Sequence, residues 1–216
     1  GSSCVYPKNS KIPISEDNLL KGSLEKTNEA YSIAKISGFK LCEAIQMQYP
    51  KSKLDTRCVM PTNIYGPGDN FSNDNSHMVP ALIKRFHEAK INNSKKVIMW
   101  GSGKPKREYL YVDDLAAALV NIMNLPKKKY IKLLNGKSNF INVGTDEEKT
   151  ILNIAKIIKK VIGFKGIIKN DLSKPDGVKR KKLNLKLISK LGWKPKVSFE
   201  KGVDLTYKSF LSNITL

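Results

Sequence analysis

Tyr31 and Lys35 are the pair of side chains in this sequence whose types and spacing point most directly to chemistry. Residues four apart on a helix lie on the same face, about one turn from each other. A lysine ammonium beside a tyrosine phenol favours the tyrosinate form, so such a phenol can donate and accept a proton near neutral pH. Because Tyr-x-x-x-Lys also arises often by chance, the pair indicates a proton-transfer site only when other reactive residues accompany it.

Two neighbouring segments supply such residues. The chain opens on GSSCVYP, which brings Ser2, Cys4 and Tyr6 together, and PTNIYGP occupies residues 61–67. A Gly-Ser-Ser start also resembles a cloning remnant. The Ser-Cys-Val-Tyr-Pro that follows, together with Tyr31 and Lys35, favours an active-site segment instead.

The elements that must position these residues alternate between helices and strands, which is the pattern of an α/β protein. Helical spacing predicts a helix over 30–49 with six apolar residues available for burial: Ile33, Ile36, Leu41, Ala44, Ile45 and Met47. Further helices are predicted over 78–90, 113–124 and 151–163 and in LKLISKLGW and FEKGVDLTYKSFLSN. Strands are predicted in TRCVMP, KKVIMWG, YLYV, FINVG and GIIKN. The 127–129 run is predicted to be a solvated turn. His87, in the middle of a predicted helix, is expected at the surface. Thr150 is expected to cap the helix that starts at 151, and Gly163 to end it.

The formal net charge of +20 raises the question of a nucleic-acid surface, because clustered cations neutralise phosphates. Of the 39 basic residues, 35 are Lys, whereas specific phosphate and base contacts favour the planar fork of Arg. Aromatic residues do not interleave the Lys runs, as a stacking platform requires. The composition therefore disfavours nucleic-acid binding, and it fits solvated faces and an anionic small-molecule substrate equally well.

The three cysteines, Cys4, Cys42 and Cys58, are an odd number without C-x-x-C spacing. This pattern argues against a disulfide framework and against a zinc site, and it favours a reducing compartment, which we expect to be the cytoplasm. No apolar run approaches the ~18–20 residues that a membrane helix needs. We therefore expect neither a metal site nor a membrane partner.

GSSCVYP, NEAYSIAK and PTNIYGP together resemble the extended short-chain dehydrogenase/reductase superfamily, whose catalytic trio is Ser, Tyr and Lys. Within it the chain is similar to the GDP-L-fucose synthase family, and the matching segments are spread through nearly the whole chain. They are SSCVYP, EKTNEAYSIAKISGFKLCE, VMPTNIYGPGDNF, NSHMVPALIKRFHEA, WGSGKPKREYLYVDDLA, INVGT and SKPDG. The resemblance implies 3,5-epimerisation of GDP-4-keto-6-deoxymannose followed by reduction at carbon 4 with NADPH.

The resemblance also implies roles for individual residues. Ser2 would hydrogen-bond the keto oxygen of the substrate, Tyr31 would protonate it, and Lys35 would tune Tyr31 and hold the nicotinamide ribose. Cys4 and His77 would be the acid–base pair of epimerisation, which needs a proton removed from one face of a carbon and returned to the other. The residues implied at the cofactor are Ser3, Tyr31, Lys35, Pro61, Thr62, Asn63, Ile64 and His77.

Substrate recognition follows from the same resemblance, which places Arg85, Trp100, Arg107 and Lys174 at the nucleotide sugar. Three cations suit a pyrophosphate, although Trp100 is also compatible with a place in the core, and Arg85 and Lys174 with solvated positions. The related dehydratases carry an acidic pair just after the catalytic serine, where this chain has Ser3, Cys4 and Val5. A dehydratase is therefore disfavoured.

A dinucleotide-binding domain of this class opens with a Gly-x-x-Gly-x-x-Gly turn between a first strand and helix. This sequence contains none, and Gly101-Ser-Gly103 reads as a simple turn. We expect residues 1–66 to be the C-terminal part of a Rossmann-type doubly wound parallel sheet, with its N-terminal part absent. Residues 67–216 would form a smaller α/β substrate-binding domain, with 108–124 and 140–145 packing back on the first. The isolated chain is then expected to be inactive, and a separate chain could carry the missing part.

Three interpretations stay open at this point. The resemblance implies a homodimer that uses the Tyr31 helix and acts on a GDP-sugar. Another nucleotide-sugar epimerase of the same superfamily would share the Ser, Tyr and Lys. A non-catalytic basic module that binds RNA or a partner protein would account for the charge, but not for Ser2, Cys4, Tyr31, Lys35 and His77 together.

Overall fold

The fold is α/β, as the alternating pattern predicted. It is seen in a computed structural model that describes residues 1–51, 54–72, 76–136 and 138–214. The helices are α1 (Glu29–Gln48), α2 (Met78–Ile91), α3 (Val112–Met123), α4 (Lys127–Leu134), α5 (Ile151–Ile162), α6 (Lys186–Ser189) and α7 (Phe199–Ile214). The strands are β1 (Cys58–Pro61), β2 (Asn63–Tyr65), β3 (Lys96–Trp100), β4 (Lys106–Tyr111), β5 (Phe140–Val143), β6 (Glu148–Thr150) and β7 (Ile167–Asp171).

Two of the strand pairings are parallel. β1 pairs with β5 in the register Cys58↔Phe140 to Pro61↔Val143, and β3 pairs with β7. A third sheet has the order β2-β4-β6, and its β4–β6 pair is antiparallel. Parallel partners need a long crossover between them, which the intervening helices provide.

The chain divides into two compact units. The first consists of Gly1–Asn63, Asp114–Asp146 and Lys181–Pro195 and contains β1, β5, α1 and α4. Its core is a cluster of eight buried apolar residues: Val5, Tyr6, Ile14, Ile36, Phe39, Met60, Phe140 and Leu183. Since Val5 and Tyr6 belong to this cluster, the GSSCVYP segment is part of the core of this unit.

The second unit consists of Ile64–Asp113, Glu147–Arg180 and Lys196–Leu216. Its larger core joins α2, α5 and α7, with Phe86, Ile158 and Phe210 among the buried side chains. The assignment of a cofactor role to one unit and a substrate role to the other stays a prediction.

Helix α5 begins and ends where the sequence predicted. The Thr150 hydroxyl accepts a hydrogen bond from the Asn153 N–H at 3.1 Å, which satisfies one of the free donors of the first turn. Gly163 ends the helix at φ 76°, a left-handed conformation that suits glycine. The cap and the terminator are both confirmed.

Three local predictions were wrong. The 127–129 run is exposed, as predicted, but it is the first turn of α4 and not a separate turn; Tyr130, which follows it, is buried, and the Arg57 guanidinium lies 5.0 Å from the centre of its ring. The predicted LKLISKLGW helix shrinks to the four residues of α6. His87 is half-buried rather than a surface residue, because its Nδ1 lies 3.0 Å from the Tyr207 hydroxyl on α7.

The predicted apolar face of α1 is largely exposed. Ile36 is buried, but Ile33, Leu41 and Met47 stand in solvent. Across the described ranges, no helix combines the length and the apolar character needed to cross a membrane.

Candidate functional site

Ser2 and Cys4 lie on one tight turn. A single turn of 3-10 helix spans Ser3–Val5, and Ser2 caps it, because its hydroxyl accepts a hydrogen bond from the Cys4 N–H at 3.3 Å. The side chains of Ser2 and Cys4 are half-buried, whereas Ser3 is buried. The turn therefore presents a hydroxyl and a thiol two residues apart from a fixed backbone.

A hydrogen bond fastens this turn to α1. The buried hydroxyl of Ser32 donates to the Cys4 carbonyl oxygen at 3.1 Å. Ser32 immediately follows Tyr31, so the bond ties the Ser2–Cys4 turn to the helix at the start of the Tyr-x-x-x-Lys motif. No motif in the sequence indicates this role of Ser32.

Tyr31 and Lys35 contact each other on the solvent-exposed side of α1. The Lys35 ammonium lies 5.5 Å from the centre of the Tyr31 ring, within the range of a cation–π contact. Tyr31 is 48% exposed, so its phenol is open to a ligand. The first unit thus contains the hydroxyl, phenol and ammonium of the predicted trio.

Pro61 and Thr62 lie at the carboxyl end of β1. Pro61 is the last residue in register with β5, and the Thr62 N–H donates to the Val143 carbonyl at 2.9 Å, which prolongs the pairing. Ligands of parallel α/β sheets bind beyond the carboxyl ends of the strands. Asn63 and Ile64, both half-buried, continue into β2.

A buried polar network holds the GSSCVYP segment from its other end. The Tyr6 hydroxyl donates to Asn142 Oδ1 on β5 at 2.5 Å, and the Asn142 side-chain amide donates to the Ile14 and Asn184 carbonyls. The Asn142 backbone N–H donates to the buried Glu16 carboxylate at 2.9 Å. Burial raises the pKa of Tyr6, and nearby Glu16 adds to the rise. This network has no signal in the sequence, because Asn142 and Asn184 are far along the chain from Tyr6, Ile14 and Glu16.

His77 occupies the position just before α2 in the second unit, and its side chain is exposed and makes no capping hydrogen bond. Asp69 lies close enough to interact with it electrostatically. Burial raises the pKa of the Asp69 carboxyl, and both the Asn70 N–H and nearby His77 oppose the rise. Asp69 is a candidate partner of His77 that sequence analysis did not name. Within the described ranges, no three His, Cys, Asp or Glu side chains are grouped to hold a metal ion.

The second unit also contains an open cavity of about 280 Å³. Its walls come from the start of α2, the ends of β3 and β4, the start of α5 and the segment after β7. The lining residues are Met78, Trp100, Gly103, Pro105, Arg107, Tyr109, Ile151, Pro175, Asp176 and Gly177. The cavity therefore joins two of the four residues that the resemblance placed at the nucleotide sugar, Trp100 and Arg107.

Asp176 fixes one wall of this cavity. Its carboxylate accepts hydrogen bonds from the Ser102 N–H at 2.8 Å and from the Ser102 hydroxyl at 2.5 Å. Gly101, at φ 73°, allows this approach, because a Cβ there would lie 2.4 Å from Asp176 Oδ1. The Gly101-Ser-Gly103 bend is thereby tied to the SKPDG segment. Both segments stand out in the sequence, but the hydrogen bonds between them do not.

The four predicted substrate residues differ in their surroundings. Trp100 is 66% exposed and not a core residue, and the Lys174 ammonium lies 5.6 Å from the centre of its ring. Arg107 donates from one guanidinium nitrogen to the Lys106 and Val178 carbonyls, at 2.8 and 2.7 Å. Arg85 is exposed on α2 and donates to the Ile98 carbonyl on β3 at 3.0 Å.

Parallel strands joined through helices place the chain in the Rossmann-type α/β class. Residues 1–144 match the NAD dependent epimerase/dehydratase family. The chain belongs to this family.

Relatives within the family are close. The chain is 50% identical over 213 residues to the GDP-L-fucose synthase of Escherichia coli K12, covering 99% of this chain and 65% of that protein. It is 47% identical to the probable GDP-L-fucose synthase 1 of rice, Oryza sativa subsp. japonica, covering 99% of this chain and 62% of that protein. The chain thus spans slightly less than two thirds of the length of these relatives.

A solved structure shares the fold. The GDP-L-fucose synthetase of Naegleria fowleri bound to NADP is 29% identical, with a TM-score of 0.88, and the match covers 99% of this chain and 65% of that one. This likeness confirms the predicted Rossmann-type class.

Proposed function

We propose that this chain carries the catalytic residues of an NADP(H)-dependent epimerase and reductase that converts GDP-4-keto-6-deoxymannose to GDP-L-fucose. The names of its relatives support the reaction. The observation that carries the proposal is the Ser32–Cys4 hydrogen bond, since it fixes the Ser2–Cys4 turn beside Tyr31 and Lys35. Because the chain spans only part of its relatives, the activity is proposed for the protein that contains it.

In the reduction, the Tyr31 phenol gives its proton to the oxygen at carbon 4. Lys35 stabilises the resulting phenolate by its positive charge. The Ser2 hydroxyl, oriented by its cap hydrogen bond, donates to the same oxygen and holds the carbonyl in place. The first unit thus provides a phenol to donate the proton, an ammonium to stabilise the phenolate and a hydroxyl to position the carbonyl.

The residues present fit the nicotinamide half of NADP(H). Thr62 directly follows β1, at the carboxyl end of a parallel strand, where such ligands bind, and Tyr31 and Lys35 are exposed on α1. When bound, the cofactor supplies the hydride for carbon 4. Pro61, Thr62, Asn63 and Ile64, with Ser3 and His77, are the residues that we assign to its binding.

In the epimerisation, the Cys4 thiol and the His77 imidazole exchange protons with carbons 3 and 5. The ketone at carbon 4 makes both neighbouring C–H groups acidic, so a base on one face and an acid on the other invert each centre.

The nucleotide end of the substrate is assigned to the cavity of the second unit. Arg107 supplies positive charge there, Trp100 supplies a flat exposed ring, and Lys174 stands over that ring. Phosphates favour cations of this kind, and an aromatic ring favours a base. Arg85 is assigned to the same ligand on the resemblance, with no support from the cavity walls.

Two further assignments complete the proposal: the protein acts in the cytoplasm and forms a homodimer through α1. The exposed apolar residues Ile33 and Leu41, two turns apart on one face, support an interface on this helix.

GDP titration tests the cavity directly. Trp100 is exposed at the cavity and Trp193 is buried in the first unit, so a Trp193→Phe chain reports ligand binding through Trp100 emission. We expect saturable quenching by GDP, lost in Arg107→Ala. Lys132→Ala, which removes the same charge from the exposed face of α4, is the matched control and should bind as the parent does.

Guanosine without phosphates separates ring stacking from phosphate recognition, and it should bind far more weakly than GDP. An Arg107→Ala chain that binds GDP as tightly as the parent would overturn the cavity assignment. A steep loss of RNA affinity with salt, in a chain that shows no GDP binding, would favour the basic-module interpretation instead.

Isotope exchange separates the two chemical steps in the protein that contains this chain. In deuterated water, Cys4→Ser should lose deuterium incorporation at carbons 3 and 5. Tyr31→Phe should keep that exchange and lose NADPH oxidation by roughly 10²–10⁴-fold, the usual contribution of a positioned acid. Loss of both readouts in both variants, with unchanged substrate binding, would contradict the division of roles.

A further inference from the structure

Cys42 on α1 and Cys58 on β1 are two thiols to which the proposed chemistry gives no role. The Cys58 thiol lies within hydrogen-bonding reach of the Cys42 thiol, and both residues are half-buried. We propose that Cys42 and Cys58 are a redox-sensitive pair that a disulfide oxidant converts to an intramolecular disulfide. The inference does not depend on the GDP-sugar assignment.

Hydrogen bonds on either side hold the two segments together. The Gln46 side-chain amide on α1 donates to both the carbonyl and the hydroxyl of Thr56, each at 2.6 Å. The Thr56 hydroxyl in turn donates to the Cys42 carbonyl at 3.4 Å. The chain that enters β1 is therefore held against the turn of α1 that carries Cys42, so the thiols meet through the backbone geometry and not through long flexible side chains.

The surroundings suit a resolving thiol at Cys58. Burial, followed by the neighbouring Cys42, raises the pKa of the Cys58 thiol to about 12. A thiol that stays protonated is a poor first nucleophile. Once Cys42 carries a mixed disulfide, its contribution to the raised pKa of Cys58 is lost and an electrophilic sulfur stands beside Cys58, so Cys58 reacts second, through its thiolate.

The reaction is a balanced thiol–disulfide exchange with oxidised glutathione or a similar small disulfide. The Cys42 sulfur attacks one sulfur of the oxidant, breaks its S–S bond and releases one thiol. The Cys58 sulfur then attacks Cys42, forms the protein disulfide and releases the second thiol. The two protein thiols are oxidised, the small disulfide is reduced, and each thiol released carries one of their protons.

The bond would join two elements that carry other assigned residues. Helix α1 contains Tyr31 and Lys35, and β1 leads into Pro61 and Thr62. A covalent link would hold the helix to the strand in the first unit. In a reducing compartment such a link forms only under oxidative conditions, which makes it a reversible modification and not a permanent staple.

Oxidation of the native 216-residue chain by oxidised glutathione tests the proposal. We expect the thiol count of the denatured product to fall from three to one, with the mass of the chain lowered by two hydrogens and no glutathione attached. Peptide mapping should recover Cys42 joined to Cys58. The oxidised chain should unfold at higher urea than the reduced chain, because the link restricts the unfolded state.

Single-cysteine variants locate the two steps. Cys58→Ser should stop at a glutathione adduct on Cys42, and Cys42→Ser should give little product, because the Cys58 thiol is protonated and shielded. Cys4→Ser is the matched control and should form the same link as the parent. A link that includes Cys4, a link between two chains, or glutathione adducts without a Cys42–Cys58 bond in the parent would each overturn the proposal.

Discussion

The Tyr6 hydroxyl is hydrogen-bonded to Asn142 at 2.5 Å, and both side chains are buried. Tyr6 ends the turn that carries Ser2 and Cys4, whereas Asn142 lies on β5 beside β1. The bond fixes the far end of this turn to the sheet, and the Ser32–Cys4 bond fixes its middle to α1. The positions of Ser2 and Cys4 therefore depend on two hydrogen bonds from opposite sides.

Removal of the Tyr6 hydroxyl should destabilise the chain with little loss of packing. Tyr6→Phe leaves the buried Asn142 oxygen without its donor, and an unsatisfied buried group costs about 1–3 kcal/mol. Urea unfolding should show a loss of this size in the free energy of unfolding. Tyr49→Phe, which removes an exposed hydroxyl, is the control and should stay within about 0.5 kcal/mol of the parent.

Glu16 in the same network gives the stability a specific pH dependence. Burial raises the pKa of its carboxyl in the folded chain, although the Asn142 N–H opposes the rise. The folded state therefore holds the proton more tightly than the unfolded state. The stabilisation is complete below the ordinary pKa of Glu and is lost as the pH rises through the folded value.

Glu16→Gln keeps an oxygen for the Asn142 N–H but does not titrate. Between about pH 4 and about pH 7, the free energy of unfolding of the parent should fall relative to that of the Gln variant. Parallel stability curves for the two chains across this range would contradict the assignment.

His87 should act in the opposite direction. Burial lowers the pKa of its imidazole, although nearby Glu88 opposes this, so the folded state resists protonation more than the unfolded state does. Stability should therefore fall as the pH drops below the ordinary pKa of histidine, about 6.5. His87→Asn retains a polar partner for Tyr207 without a charge, and chemical denaturation at a series of pH values should show a flatter acid limb for this variant.

Gly101 should tolerate no side chain. Gly101→Ala introduces a Cβ 2.4 Å from Asp176 Oδ1 at a positive φ, which costs about 1–2 kcal/mol in backbone strain before the clash is counted. Gly68→Ala is a matched control, since Gly68 has φ 76° and open space around its Cβ position. We expect both variants to lose stability and only Gly101→Ala to lose GDP binding in the Trp100 fluorescence assay. Equal GDP affinity in the two would argue against a role for the Asp176–Ser102 bond in the cavity.

The sequence predicted the elements well where local spacing determines them. α1, α2 and α5 follow their 3.6-residue periods, and the cap at Thr150 needs a partner only three residues away. The prediction for 127–129 was wrong because a distant residue, Arg57, packs on Tyr130 and helps to hold α4 in place. That contact cannot be predicted from a run of lysines.

In the candidate site, too, contacts between residues close in the sequence were predicted and long-range contacts were not. Tyr31 and Lys35 were predicted to meet, because one turn of helix suffices to bring them together. The bonds from Ser102 to Asp176 and from Tyr6 to Asn142 join residues that only the folded chain brings together. Hydrogen-bond partners of this kind leave no spacing pattern, so the sequence indicated candidate site residues but not the residues that hold them in place.

The exposed stripe on α1 gives the last prediction. Ile33, Leu41 and Ala44 lie on one face of the helix in solvent, and Leu41 is 61% exposed. If this stripe is the proposed homodimer interface, Leu41→Glu buries an unpaired carboxylate on association and should shift the chain towards monomer. Sedimentation velocity over a range of concentrations measures the shift. Ile131→Glu, which places the same charge on an exposed site of α4, should leave the association unchanged; equal sedimentation of the parent and Leu41→Glu chains would exclude this face.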